Sequence, residues 1–267
     1  MEKNINRPLL VVLNIIGLFA TIVVNALANA LPLNGRNTGV ISDSIPNLFV
    51  PAGLTFAIWG LIYGLLILLV VYQAVTLRKA AAPSDPIGSL GIWFFISCVA
   101  NSLWIIAWHW GVLVLSLILM LVLLFCLIIM HTRIRSQAGT PSTTFRVAVS
   151  LPISIYLGWI TVATVANATA LLVVTGWDRL GMSETFWTVV VMLVAILINM
   201  LAVVLKGDIG FALVGLWAMF GIFYKRALSG LEPVEAVTTT AIAGMIVLGV
   251  VIIARLVTVA RKRAKPA

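Results

Sequence analysis

Apolar residues run almost unbroken from Pro8 to Leu31, give way to a polar stretch, and resume at Pro51. The same alternation repeats to the end of the chain. The apolar runs cover approximately residues 8–31, 51–77, 90–109, 111–132, 147–175, 185–205, 208–224 and 234–258. Most reach the ~20 residues a helix needs to cross the hydrocarbon core of a bilayer. The pattern therefore predicts an all-α integral membrane protein with about eight transmembrane helices. The seventh run is short and rich in glycine (Gly207, Gly210, Gly215, Gly221), which leaves a re-entrant segment open there. The third and fourth are separated only by the break near His109–Gly111. The first run exceeds the ~7–15 apolar residues of a cleaved signal peptide and reads as a retained helix.

Composition supports this class. The chain is 62% hydrophobic and 9% charged, with a mean hydropathy of +1.17, whereas soluble domains carry about 25% charged residues. The net charge of +9 would raise nucleic acid as a partner in a soluble protein. Here the basic residues lie in short segments between apolar runs and in the tail "RKRAKPA", so topology and anionic headgroups explain them and no nucleic acid is expected.

With the N-terminus inside, the inner segments hold Lys3, Arg7, Arg78, Lys79, Arg133, Arg135, Arg146, Lys206, Arg255, Arg261, Lys262, Arg263 and Lys265, 13 of the 17 basic residues. Arg36, Arg179, Lys225 and Arg226 fall outside. This bias predicts both termini on the cytoplasmic face, of a bacterial-type plasma membrane since no organelle-targeting segment is evident. The pair Lys225/Arg226 runs against it.

The acids Glu2, Asp43, Asp85, Asp178, Glu184, Asp208, Glu232 and Glu235 all lie in loops or at span ends. Proton-coupled carriers keep ionisable groups at mid-membrane depth, so that class is disfavoured. No HExxH, phosphate-loop or GxSxG motif is present, no metal site is expected, and no catalytic residue is assigned. Cys98 and Cys126 read as small buried apolar residues, and His109 and His131 as histidines at helix ends.

The remaining chemistry is aromatic and amide. Trp59 and Tyr63 share a helix face at i, i+4. "ANSLW" places Asn101 and Trp104 on one face, and "IYLGWITVATVAN" aligns Tyr156, Trp159, Ala163 and Asn167 along one stripe. At 1.5 Å per residue Trp59 and Tyr63 lie about 12 and 18 Å into their span, too deep for an interfacial aromatic belt. Two readings fit: a pocket with flat aromatic walls for a planar apolar ligand, or plain helix packing, with Gly60 and Gly64 forming a GxxxG contact. The loop 32–50 is long for a connection, and its Ile, Leu and Phe residues predict that it folds back on the bundle.

The stretches "PAGLTFAIWGLIY" (51–63), "NSLW" (101–104) and "YLGWITVATVAN" (156–167) resemble the TspO/MBR tryptophan-rich sensory proteins, the translocator family. They occur in the family's order after a first helix and a long first loop, and the likeness covers roughly residues 8–175. It implies a five-helix bundle over 1–177, with three further helices over 178–267 as an added extension. It also implies a cavity for porphyrin, haem or sterol-like ligands capped by the first loop, with Trp59, Tyr63, Asn101, Trp104, Tyr156, Trp159, Ala163 and Asn167 at pocket or motif positions. No cofactor is required; a porphyrin or haem is the implied ligand, the bilayer the implied environment and a homodimer the implied assembly. Some members degrade porphyrins, so enzymatic turnover enters only through the resemblance. The chain departs from the family at Gly53, where a tryptophan is usual, at Phe56, offset by one from the usual phenylalanine, at "IIAWHW" after "NSLW", and at Ile155, where a proline is usual. The expected function is binding of a hydrophobic small molecule for sensing, regulation or transfer; a multi-pass carrier and a membrane scaffold subunit are the alternatives.

Overall fold

A computed structural model describes residues 6–31, 33–78, 85–137, 140–228 and 234–264. Glu2, Lys3, Lys79, Glu232 and Lys265, and the side chains of Lys262 and Arg263 in the basic tail, lie outside the described residues. Eight long helices carry the fold: α1 (Arg7–Ala30), α2 (Ile58–Thr76), α3 (Trp93–His109), α4 (Leu113–Arg135), α5 (Leu151–Val174), α6 (Glu184–Lys206), α7 (Ile209–Ala227) and α8 (Glu235–Ala264). All but α3 are long and apolar enough to cross a membrane, and α3 is an apolar helix of 17 residues. The chain is an integral membrane protein of about eight helices, as its hydropathy pattern predicts.

Local chemistry sets the boundaries. Asn6 caps α1 by accepting from the Leu9 N–H, with Pro8 in the first turn, where a missing N–H costs nothing. Ser183 caps α6 through the Phe186 N–H and places Glu184 at the helix's positive end. Ahead of α5, a turn starting at Thr143 passes through a π turn over Arg146–Ser150 before regular helix resumes at Leu151. Pro152 in the next turn has no N–H and crowds the preceding carbonyls, which favours a widened turn there.

Packing does not follow chain order. α1 lies against α2 and α3, α3 against α4, and α4 against α5; α5 then packs on α7, while α6 and α8 pack on α7 and on each other. The last three helices are thus joined to the first five through the α5–α7 seam. In α7 the glycines sit at close contacts and mark no re-entrant loop: Gly210 faces Leu151 and Ser154, Gly215 faces Asn199, and Gly221 faces Pro51 and Thr55. At 19 residues α7 is about 28 Å long, close to the core thickness of ~30 Å. In α2, Gly60 and Gly64 make no close helix contact within the chain. A Cβ at either position would meet open space.

Buried charge appears where the α6–α7 turn meets the first five helices. Gly207 ends α6 with φ +65, and Asp208 caps α7 by accepting from the Phe211 N–H at 3.1 Å. The Asp208 carboxylate also accepts from His131 Nε2 at 2.6 Å and Ser154 Oγ at 2.8 Å, with Arg135 at 3.8 Å. Burial alone would raise its pKa; the hydrogen bonds from His131, the Phe211 N–H and Ser154 outweigh that and hold it below the usual carboxylate range. Asp208 and His131, both read from sequence as unremarkable residues near helix ends, are therefore the tie between α4, α5 and α7.

At the opposite face the first loop, described over 33–50, folds back as expected. It forms a short helix, Thr38–Asp43, capped by Asn37, and buries Ile41, Phe49 and Val50. α7 holds it from above. Arg226 donates to the carbonyls of Asn47 at 2.5 Å and Leu48 at 3.4 Å, and Lys225 to Asp43 at 2.5 Å. This explains why two basic residues stand on the face that is otherwise poor in them. They are consumed by the loop.

Candidate functional site

The aromatic residues singled out by spacing converge on one point. Trp59 stacks on Tyr63 (centroids 5.5 Å, planes 21° apart) and on Trp104 (6.3 Å, 30°). It meets Tyr156 (6.0 Å) and Trp159 (6.4 Å) edge to face. Phe56 and Trp108, not anticipated, extend the cluster: Phe56 lies edge-on to Trp159 at 5.9 Å and Trp108 stacks on Trp104 at 6.4 Å. Offset-stacked and T-shaped pairs are the arrangements the ring quadrupole favours. The cluster joins α2, α3 and α5, so it needs all three helices in register.

Two cavities flank Trp59. One, of about 40 Å³, is bounded by Trp59, Trp104, Trp159, Ala163 and Asn167, with Thr38 and Ser42 of the first loop above them. The other, of about 260 Å³, lies between Trp59 and Tyr63 on one side and Asn25, Asn29 and Gly39 on the other. Ala163 provides space by its small size. Asn101 and Tyr156 line neither cavity. Asn101, fully buried, donates to Tyr156 Oη at 3.0 Å, and Tyr156 backs Trp59.

Asn101 belongs to a relay that reaches the first loop. It accepts from Asn25 Nδ2 at 2.8 Å; Asn29 donates to the Asn25 carbonyl at 2.9 Å and accepts from the Thr38 N–H at 3.4 Å. His109 completes the cover. Its Nδ1–H donates to the Leu33 carbonyl at 3.0 Å, which leaves Nε2 to accept from Thr38 Oγ1 at 3.1 Å. Sequence reasoning passed over this set, although Thr21, Asn25 and Asn29 recur at i, i+4 along α1 and form an amide stripe legible by the same rule that grouped Trp59 with Tyr63.

Polar atoms around the cavities are incompletely used. Nε1 of Trp104, Trp108 and Trp159, Oη of Tyr63 and Oδ1 of Asn167 are buried without a hydrogen-bond partner among the described residues. Asn167 spends its amide nitrogen on Ser116 Oγ at 2.7 Å. An unmet buried donor or acceptor costs roughly 1–3 kcal/mol. Several around one spot is a costly arrangement for a site that only packs helices.

A family model described as TSPO-like protein matches residues 11–254. The chain belongs to the TSPO-like family. The match crosses residue 177 and runs through α6, α7 and most of α8. No curated protein and no solved structure matches the chain. In this TSPO-like chain, α7 completes the surroundings of the site. Trp217 Nε1 donates to the Thr55 carbonyl at 3.0 Å, and the Ala52 N–H donates to the Gly221 carbonyl at 3.0 Å, fixing the turn that leads into Phe56 and Trp59.

Proposed function

We propose that the chain binds a flat hydrophobic small molecule, of tetrapyrrole or polycyclic type, against Trp59 beneath the first loop. The observation that carries this reading is the set of buried, unpartnered polar atoms on Tyr63, Trp104, Trp108, Trp159 and Asn167 around a stacked aromatic wall. A ligand with hydrogen-bonding edges and an apolar face would use both. The two cavities together lie at the low end of the roughly 300–1,000 Å³ typical of ligand pockets. Entry of a tetrapyrrole therefore involves a shift of the Trp59 ring and release of the Thr38–His109 contact. Neither cavity is lined by His or Cys, so an iron porphyrin and a metal-free one are held alike, by stacking. Binding serves sensing, regulation or transfer, with the face carrying the start of α1 turned to the cytoplasm of a bacterial-type cell.

The test is titration of the purified protein with protoporphyrin and with haem, read by tryptophan quenching and by the shift of the Soret band. Both ligands are expected to bind, with Trp59→Leu weakening each about tenfold or more, since base-like stacking on an aromatic ring is worth roughly 1–3 kcal/mol. Thr38→Val, which frees the cover from His109, is expected to speed ligand entry. Equal quenching in wild type and Trp59→Leu would place the ligand elsewhere and remove the proposal.

A further inference from the structure

A cavity apart from these two, on the face that carries the start of α1, has a different chemistry. It is a half-open cleft of about 600 Å³ where the end of α4, the lead-in to α5, the α6–α7 turn and α8 meet. Arg135, Arg146, Lys206 and Arg255 line it, against the single carboxylate of Asp208. That carboxylate is already engaged by His131, Ser154 and Arg135. Among the described residues Arg146, Lys206 and Arg255 form no ion pair.

We propose that this cavity is a binding site for a phosphate-bearing anion at the membrane boundary, carried either by a phospholipid headgroup or by a soluble phosphate ester. Like charges drawn from different helices to one cleft repel one another, though water screens the exposed Arg135, Arg146 and Lys206, and a bound anion relieves that repulsion with charge-assisted hydrogen bonds. Topology alone requires basic residues on this face. It does not require their convergence, and Arg78 and Arg261 on the same face stand outside the cavity. The turn is shaped to let one of them in. A Cβ on Gly207 would lie 2.5 Å from an Arg255 guanidinium nitrogen, so the guanidinium rests directly over the glycine. Ile134, Val147, Leu151 and Ile209 supply an apolar border for the glycerol and acyl carbons of a lipid. The cavity draws on α4 and α5 and on α6, α7 and α8, so the bound anion also fastens these two groups of helices together. The proposal stands independently of ligand binding at Trp59.

The experiment measures the thermal unfolding midpoint of the full chain in neutral detergent with added short-chain phosphatidylglycerol, phosphatidylcholine or glycerol 3-phosphate. Phosphatidylglycerol is expected to raise the midpoint of the wild type above that in phosphatidylcholine. Arg146→Gln with Arg255→Gln is expected to weaken the half-saturating concentration about tenfold or more. Arg78→Gln with Arg261→Gln removes the same charge from the same face and is expected to leave it unchanged. If glycerol 3-phosphate reproduces the shift, the anion is a soluble ester; if only the lipid does, it is a headgroup. Equal midpoints in phosphatidylglycerol and phosphatidylcholine for the wild type, with no shift on glycerol 3-phosphate either, would overturn the site, a result that needs no variant to fold. So would a shift retained in the cavity variant, or lost equally in the Arg78/Arg261 control.

Discussion

Replacing Asp208 with alanine is expected to destabilise the protein by about 3–5 kcal/mol, the cost of removing one partner from a buried charged cluster. The side chain does two tasks. It caps α7 through the Phe211 N–H, worth about 1 kcal/mol. Its other oxygen receives His131 from α4 and Ser154 from α5. Asp208→Asn keeps the shape and the cap and is expected to recover about 1 kcal/mol of the loss. The pH dependence has a definite sign. The folded carboxyl sits below its ordinary range, so its stabilisation is fully present above the unfolded value of about 4 and disappears as pH falls through the lower folded value. Acid unfolding of the wild type in detergent is expected to steepen below about pH 4, and that of Asp208→Asn to lack this component. An Asp208→Ala variant within about 1 kcal/mol of wild type would show that the cluster contributes little.

The second large effect is expected from the smallest change, Gly221→Ala. An added Cβ would overlap Thr55 Cγ2 and lie 2.8 Å from Pro51 Cβ. Neither neighbour can turn aside. Pro51 is a ring, and Thr55 is fully buried with its hydroxyl bonded to the Ala52 carbonyl. The helix must move away, which gives up the hydrogen bond from the Ala52 N–H to the Gly221 carbonyl. Overpacking at about 1–3 kcal/mol, with about 1 kcal/mol for the lost bond, gives roughly 3 kcal/mol. The same movement loosens the lead into Phe56 and Trp59, so porphyrin affinity is expected to fall with stability. Unchanged melting and unchanged affinity in Gly221→Ala would mean that α7 does not support the site.

The fold was legible because lipid imposes a simple rule, and runs of about twenty apolar residues report it directly. The convergence of Trp59, Tyr63, Trp104, Tyr156 and Trp159 was approachable for a similar reason: helical spacing shows which side chains share a face. Spacing does not show which face meets which helix. For that reason the amide stripe of α1, the union of His131 with Asp208 across 77 residues and the grip of Arg226 on the loop were not visible. Gly60 and Gly64 illustrate the converse. A motif that fits a close contact faces open space, because a small residue permits an approach without causing one.

The hold of Arg226 on the Asn47 carbonyl also has a consequence in time. These residues are 179 positions apart, and chains grow at roughly 5–20 residues per second. The first loop is therefore made, and the helices beneath it inserted, on the order of ten seconds or more before the residue that holds it exists. During that interval the cover over the aromatic cluster has its contacts to Asn29 and His109 but lacks the one to Arg226. The fastening by Arg226 follows the synthesis of α7.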